Sequence, residues 1–236
     1  MSYKPFDLTA KNVLITGGNS GIGLGMAEAL VQAGAGVCIW GASAEKNAAA
    51  LAELRRHGRA EAMLCNVADE DEVAMRFAET LATFGHIDAC FANAGVGSDR
   101  KKAKDGFAGM DFEEWRRVLD VNLDGTFFTL RAAAKHLVER GQVGSLVVTS
   151  SLAAIMGQAR GEHYAASKGA VIAMIRALAV EYGRNGIRAN AILPGYIDTP
   201  MTQQDDAVRR EREALIPLRR QGTGWDIGWA AVFLAS

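Results

Sequence analysis

The sequence predicts an α/β protein built on a doubly wound parallel sheet with helices on both faces. Short apolar runs alternate with longer stretches of helical periodicity along the 236 residues, which is the pattern of repeated strand-helix units. A glycine-rich turn joins the first apolar run to the first helical stretch, as in folds of the Rossmann type. With 49% hydrophobic residues and no linker-like segment, residues 1–236 are predicted to form a single domain.

The elements follow in order from this alternation. Apolar runs of strand length lie near 11–16, 36–40, 60–66, 87–92, 145–150 and 187–193. Helical patterns lie near 21–33, 44–57, 69–84, 111–140, 162–184 and 223–235. Strands joined through helices run parallel, and right-handed crossovers place helices on both faces of the sheet. Ligands bind beyond the carboxyl ends of the strands in such sheets, so we expect the functional residues there.

The first turn has the features of a phosphate-binding loop. The strand at 11–16 runs directly into Gly17-Gly18-Asn19-Ser20-Gly21-Ile22-Gly23, and a helical pattern follows at once. Glycines permit positive φ and close approach of the backbone to a ligand, while the helix N-terminus offers free N–H groups to a pyrophosphate. A plain tight turn would also contain glycines, but the strand and the helix on either side favour dinucleotide binding.

A tyrosine and a lysine four residues apart form the candidate catalytic pair. Tyr164 and Lys168 share one face of a predicted helix, where the ammonium is expected to lower the pKa of the phenol. Ser151 directly follows a predicted buried strand, so its hydroxyl can reach the same site. Ser167 faces elsewhere on the helix, and strand alternation sends Ser150 to the opposite side. The set suits general acid/base chemistry.

These residues belong to a longer series that resembles the short-chain dehydrogenase/reductase family in its single-domain form. In the family's order, the series comprises Thr16-Gly17-x-x-x-Gly21-x-Gly23, Asn93-Ala94-Gly95, Asn122, Ser151, Tyr164, Lys168, Pro194-Gly195 and Thr199. The resemblance implies an NAD(P)-dependent oxidoreductase that interconverts a secondary alcohol and a ketone by hydride transfer.

The resemblance also gives each residue of the catalytic set a role. Tyr164 gives a proton to the carbonyl oxygen, and Ser151 holds that oxygen. Lys168 lowers the pKa of the tyrosine and binds the nicotinamide ribose, and Asn122 helps hold a water that links Lys168 to solvent. Without the family, Asn122 is interpreted as a helix residue bonding its own backbone, and Asn93-Ala94-Gly95 as a plain turn.

The residues implied to bind the cofactor follow successive strands. They are Gly17, Asn19, Ser20, Gly21, Ile22, Gly23, Gly41, Ala42, Ser43, Asn66, Val67, Asn93, Ala94, Gly95, Tyr164, Lys168, Pro194, Gly195, Ile197 and Thr199. Gly41 stands where a carboxylate would select NAD, and no arginine follows to accept the extra phosphate of NADP. Because the missing carboxylate would have repelled a phosphate, and Ser43 can cap a helix that attracts an anion, the sequence allows NAD or NADP and favours NADP.

Two segments are expected to shape the substrate pocket. Residues 196–222 resemble a mobile lid, and residues 97–106 form a cationic loop, interpreted as a solvated surface in preference to an anion-binding rim. The polar run at 157–163 favours a polyol, a sugar or another hydroxylated small molecule as substrate. The alternative enzyme is a 3-oxoacyl-thioester reductase. The alternative of another class is a non-catalytic dinucleotide-binding sensor or partner subunit.

Composition limits the other partners. A net charge of −1 gives no basic footprint for nucleic acid and no polybasic patch for a membrane, and no apolar run is long enough to span a bilayer. Cys38, Cys65 and Cys90 lie in apolar runs, as expected of free thiols in a reducing cytoplasm. The histidines lack metal-ligand spacing, so no metal site is expected.

Surplus apolar surface predicts self-association. The patterns at 112–140 and 162–184 carry more apolar positions than one face of a sheet buries. In the family resembled, these two helices pair with their copies in a second subunit, which implies a homodimer or a homotetramer. The family also continues into one more strand, so its C-terminal strand is expected to be missing from this chain.

Overall fold

The predicted parallel sheet is present in the structure, a computed structural model that describes residues 6–99, 106–157, 159–201 and 206–236. The strands are β1 (Asn12–Thr16), β2 (Gly36–Gly41), β3 (Ala60–Leu64), β4 (Ala89–Ala92), β5 (Gly144–Thr149) and β6 (Ile187–Ile192). Every pairing is parallel, and the spatial order is β3-β2-β1-β4-β5-β6. The order reverses between β1 and β4, which places the switch point of the sheet between them.

Helices cover both faces of this sheet. They are α1 (Gly21–Gln32), α2 (Ala44–Leu54), α3 (Glu70–Phe84), α4 (Phe112–Leu119), α5 (Gly125–Arg140), α6 (Glu162–Tyr182), α7 (Asp206–Leu215) and α8 (Gly224–Ala235). Within β1, Val13 and Ile15 pack into one apolar cluster and Leu14 packs into another on the opposite face. A strand buried on both faces reads as a continuous apolar run, which is why β1 was recognisable in the sequence. The fold class is confirmed.

The helix expected at 111–140 is interrupted, so the prediction of one continuous helix is wrong. A π-helical segment, Asp120–Asp124, separates α4 from α5. Such an insertion rotates the residues within it, and Asn122 in its middle is fully buried. Apolar periodicity alone does not detect a π segment, because the helix continues on both sides of it. The sequence also did not predict α7, which lies inside the expected lid.

A buried carboxylate holds together the amino end of the sheet. Asp88, just before β4, accepts hydrogen bonds from the Asn12 backbone N–H at 2.8 Å and from Arg140 at 2.7 Å, and His86 Nε2 lies 3.2 Å away. Burial by itself raises the pKa of Asp88, but the bonds from Arg140 and Asn12 outweigh it and lower that pKa. This cluster, the amino-end clasp, lies at the end of the sheet opposite the expected site. None of the described helices is both long and apolar enough to cross a membrane.

Candidate active site

A cavity of about 360 Å³ opens at the carboxyl ends of the strands. Most of the residues expected to bind a cofactor line it, namely Gly17, Asn19, Ser20, Gly21, Ile22, Gly23, Gly41, Ala42, Asn66, Val67, Asn93, Ala94, Gly95, Pro194, Gly195, Ile197 and Thr199. The candidate catalytic residues Ser151, Tyr164 and Lys168 line the same cavity. Ser43 and Asn122 are not among the lining residues.

Sequence reasoning missed part of the lining. The additional residues are Trp40, Cys65, Val96, Val121, Thr149, Ser150, Pro200 and Met201. Each lies within two residues of one that the motifs singled out, so widening every motif by two positions would have found them. Ser150 reaches the wall with its hydroxyl turned away, donating to the Lys168 carbonyl at 2.7 Å.

The glycine loop is held against the end of β4. Gly17 has a φ of 64°, and a Cβ at Gly23 would lie 2.1 Å from the Gly17 carbonyl oxygen, so neither position admits an ordinary side chain. The Asn93 side chain donates to the carbonyls of Thr16 at 3.0 Å and Gly17 at 3.3 Å. The Asn93 side chain therefore links the end of β4 to the glycine loop. The interpretation of its segment as a plain turn is wrong.

The N-terminus of α1 is suited to an anion. Its N-cap residue Ser20 makes no side-chain capping bond, and the first turn contains no acidic residue. The first N–H groups of a helix have no partner within the helix and carry the positive end of its dipole. A phosphate group placed at this end of the cavity would meet those groups.

Two amide side chains occupy the space that an acidic side chain at position 41 would need. A Cβ there would lie 2.1 Å from Asn19 Nδ2 and 2.4 Å from Asn47 Oδ1. Asn19 donates to Asn47 at 2.7 Å, and Asn47 donates to the Gly41 carbonyl at 3.1 Å, so this chain of amides joins the glycine loop to the end of β2. Ser43 caps α2 by accepting from the Lys46 N–H at 3.4 Å, as expected. The role of Asn19 in this link was not visible in the sequence.

The candidate catalytic side chains lie close together in the cavity. The Tyr164 hydroxyl is hydrogen-bonded to Ser151, whose Oγ accepts from the Ala153 N–H at 3.1 Å. Lys168 is buried; its Nζ donates to the Thr149 carbonyl at 2.8 Å and lies 5.8 Å from the centroid of the Tyr164 ring. The strand β5 and the helix α6 thus present serine, tyrosine and lysine at one point of the cavity.

The pKa of Tyr164 is raised in this structure, whereas the pairing with Lys168 was expected to lower it. Burial raises the pKa of Tyr164, and the Ser151 hydrogen bond opposes that rise without cancelling it. Burial also lowers the pKa of Lys168 to about 8. The ammonium lies against a backbone carbonyl, and the dominant influence on each group is loss of water rather than attraction between them.

Asn122 bridges two elements. Its Oδ1 accepts from the Val96 N–H at 2.7 Å, and its Nδ2 donates to the Val96 carbonyl at 3.0 Å and to Ser167 Oγ at 3.2 Å. Ser167 in turn donates to the Tyr164 carbonyl at 2.7 Å. The interpretation in which Asn122 bonds only its own backbone is therefore wrong, because its side chain joins α6 to the loop after β4.

The two ends of the expected lid, residues 196–222, are hydrogen-bonded to each other. The Asp198 N–H donates to the Gly222 carbonyl at 2.8 Å, and the Gly222 N–H donates to the Tyr196 carbonyl at 3.0 Å. Between these residues, Arg209 on α7 pairs with Asp198 at 3.0 Å. Residues 202–205 of this segment lie outside the described residues, as do Gln158 and the cationic run 100–105.

A sheet with this strand order, a glycine loop at its switch point and a tyrosine-lysine helix beside it defines a class of nicotinamide-dependent oxidoreductases. The chain belongs to the short-chain dehydrogenase/reductase family within that class. A family model described as enoyl-(acyl carrier protein) reductase matches residues 17–236. The chain is therefore an NAD(P)-dependent oxidoreductase.

Individual proteins agree with this assignment. The chain is 35% identical over 234 residues to 2,5-dichloro-2,5-cyclohexadiene-1,4-diol dehydrogenase of Sphingobium indicum, covering 98% of this chain and 91% of the relative. It is 36% identical over 234 residues to L-rhamnose 1-dehydrogenase (NAD(P)(+)) of a Sphingomonas species, covering 97% and 90%. The crystal structure of a short-chain type dehydrogenase/reductase from Mycobacterium marinum matches with a TM-score of 0.91 at 32% identity, covering 98% and 90%.

The cavity fits a nicotinamide dinucleotide. Thr149 lines it, and the Thr149 hydroxyl is buried without a hydrogen-bond partner among the described residues. A buried hydroxyl is normally satisfied, and a polar ligand in this cavity would satisfy it. With the open N-terminus of α1 at the other end, the cavity offers polar groups at both ends and apolar walls between them.

Proposed function

We propose that the protein interconverts a secondary alcohol and a ketone on a hydroxylated small molecule such as a polyol or a sugar, with Tyr164 as the acid and base. The observation that carries this proposal is the Ser151-Tyr164 hydrogen bond beside buried Lys168, in the same cavity as the glycine loop. The two enzymes compared above are named for a cyclic diol and for a sugar, which supports a substrate with several hydroxyl groups.

The nicotinamide cofactor supplies or accepts the hydride when it is bound. In reduction, the carbonyl oxygen gains negative charge, Ser151 holds that oxygen through its hydroxyl, and Tyr164 gives it a proton. Lys168 binds the nicotinamide ribose and stabilises the resulting phenolate. Asn122 sustains the geometry by fixing α6 against the loop after β4 and helps hold a water that returns the proton from solvent. In oxidation, Tyr164 takes the proton from the alcohol.

A substrate panel tests this proposal. Polyols and sugars would each be incubated with the oxidised forms of NAD and NADP, and 3-oxoacyl thioesters with the reduced forms. The absorbance of the reduced nicotinamide would be followed in every case. We expect turnover of a polyol or a sugar. A specificity constant for the thioesters above those for all polyols and sugars would favour the acyl-thioester reductase, which the description of the matching family model supports. Cofactor binding without turnover of any class would favour the sensor.

For the cofactor, we propose NADP over NAD. Position 41 holds no carboxylate to repel the phosphate, and its space is taken by the amides of Asn19 and Asn47. The capped N-terminus of α2 and the exposed Lys46 in its first turn favour an anion nearby.

Ala42→Arg is expected to raise the specificity for NADP over NAD by about 10-fold or more, because a charge-assisted hydrogen bond is worth about 1.5–3 kcal/mol. Ala42 is exposed at the edge of the cavity, so the new side chain has room. The ratio of kcat/KM for the two cofactors measures the effect, with Ala42→Gln as the uncharged control. An unchanged ratio in both variants would show that the end of β2 does not face the adenosine ribose.

We also propose a homotetramer in the cytoplasm, with α5 and α6 at its dimer contact and residues 196–222 as a lid over a single domain. Phe127 on α5 and Val180 on α6 leave 42% and 86% of their surface exposed, and Phe112 on α4 leaves 72%. Light scattering at micromolar concentration is expected to give four times the mass of the chain. Phe127→Glu would then lower that mass, whereas a monomeric wild type with full activity contradicts the assembly.

A further inference from the structure

A second buried carboxylate lies on the catalytic side of the sheet. Glu114 on α4 is 0% exposed, and Arg117 donates to both of its oxygens at 2.7 and 2.8 Å. Its Oε1 also accepts from the Asp99 backbone N–H at 2.9 Å, and His163 Nε2 lies 3.5 Å away. The bond from Arg117 is the largest cause that lowers the pKa of Glu114 to about 2, so the carboxylate is ionised. We name this cluster the carboxyl-end clasp.

The clasp joins the two segments that border the catalytic residues. Asp99 belongs to the loop after β4, and Arg117 donates to the carbonyl of Gly97 in the same loop at 2.7 Å. His163 directly precedes Tyr164 and is 0% exposed. Glu114 therefore accepts a hydrogen bond from the loop after β4 and lies 3.5 Å from His163 in the first turn of α6.

Asn122 makes the same kind of bridge two turns further along. It binds Val96 in the loop after β4 and Ser167 on α6, as described above. His163 and Ser167 are four residues apart and lie on one face of α6. Two bridges thus hold the segment that carries Tyr164, one on each side of it.

The first turn of α6 has no side-chain cap. Its N-cap, Gly161, has no side chain and makes no capping bond. Of its first two residues, Glu162 and His163, only His163 is fully buried. His163 has no hydrogen-bond partner at normal distance among the described residues, so its polar contact with the rest of the molecule is the 3.5 Å approach of its Nε2 to Glu114.

We propose that Glu114 and His163 are positioning residues for the reaction. Their contact fixes the position of the Tyr164 hydroxyl relative to the loop after β4. The hydrogen bonds that Glu114 accepts from Arg117 and from the Asp99 N–H fix the position of the loop itself. This inference rests on the proposed role of Tyr164. Removal of either side chain leaves the chemistry of the catalytic set intact but moves the phenol away from the carbonyl that it serves.

Glu114→Gln and His163→Phe test the inference, because the first keeps the shape of the side chain and removes its charge, and the second keeps an aromatic ring and removes its nitrogens. Each is expected to lower kcat about 10- to 100-fold, the size of effect that a displacement of about 1 Å can produce. The cofactor Kd is expected to change little, because the glycine loop joins β1 to α1 and belongs to neither α4 nor α6. The double variant is expected to be no slower than the slower single variant, because both changes break one contact.

The amino-end clasp supplies a matched control. Asp88 has the same set of partners, an arginine, a backbone N–H and a histidine, at the opposite end of the sheet. Asp88→Asn is expected to lower Tm with kcat unchanged, whereas Glu114→Gln lowers kcat. The inference would be overturned if Glu114→Gln and His163→Phe lowered Tm without lowering kcat. It would also be overturned if their effects on kcat multiplied in the double variant.

The Tyr164→Phe background separates this inference from the proposed function. There Glu114→Gln is expected to have no further effect, because the residual rate does not use the phenol. If Tyr164→Phe itself keeps the activity of the wild type, the proposed function fails. If Tyr164→Phe is slow while Glu114→Gln and His163→Phe turn over like the wild type, only the positioning role fails.

Discussion

Tyr164→Phe is expected to lower kcat by about 10²- to 10⁴-fold, the range that one positioned acid or base contributes. The change removes the hydroxyl that hydrogen-bonds Ser151 and keeps the ring that fills the wall of the cavity. Burial raises the pKa of this phenol, which favours the protonated form that the proposed donor needs. Loss of the hydroxyl removes the proton donor without disturbing the glycine loop.

Cofactor affinity tests whether the glycine loop is undisturbed in Tyr164→Phe. Trp40 lines the cavity, so quenching of tryptophan fluorescence reports binding, and we expect the Kd of Tyr164→Phe to stay close to that of the wild type. Tyr182→Phe, at the far end of the same helix, is the control and is expected to keep its kcat. Activity of Tyr164→Phe within a few-fold of the wild type would refute the assigned role.

Lys168→Ala is expected to lower both turnover and cofactor affinity. The lysine is buried, and its Nζ would lie 3.2 Å from a Cβ built at Gly95, so the ammonium reaches the wall where the nicotinamide ribose is proposed to bind. A hydrogen bond to a charged group is worth about 1.5–3 kcal/mol, which corresponds to a loss of about 10- to 100-fold in cofactor affinity. The loss in kcat adds to this, because the phenolate of Tyr164 loses its neighbouring cation.

Lys168→Met separates charge from packing. It keeps most of the buried stem and removes the donor to the Thr149 carbonyl. Both variants are expected to bind the cofactor weakly in the fluorescence titration, with Lys168→Met closer to the wild type in Tm. A cofactor Kd in Lys168→Met equal to that of the wild type would rule out the ribose contact, whatever happens to kcat.

Local patterns account for the parts of the fold that were predicted correctly. Strand β1 and the glycine loop were recognisable because a buried strand needs consecutive apolar residues and a close turn needs glycines. The spacing of Tyr164 and Lys168 depends only on the pitch of one helix. Helix α7 was not predicted, because its sequence is mostly charged and resembles a solvated loop.

Contacts between distant segments could not be predicted in this way. The link from Asn19 to Asn47 spans 28 residues, and the contact of Glu114 with His163 joins two helices that the sequence analysis treated separately. The π-helical segment that turns Asn122 inward leaves the apolar periodicity on both sides unchanged. The pKa of Tyr164 was predicted in the wrong direction, because a sequence shows which charge is nearby in the chain but not how much water the fold removes.

Residue type and spacing within one element were enough to predict the parallel sheet, the dinucleotide loop and the serine, tyrosine and lysine that we propose carry the reaction. How those residues are held depends on contacts between elements that are distant in the chain. The tertiary structure placed Lys168 against the Thr149 carbonyl, joined α6 to the loop after β4 through Asn122 and Glu114, and closed position 41 with two amides. Packing decides such contacts, since desolvation and hydrogen-bond geometry depend on every element that surrounds a group.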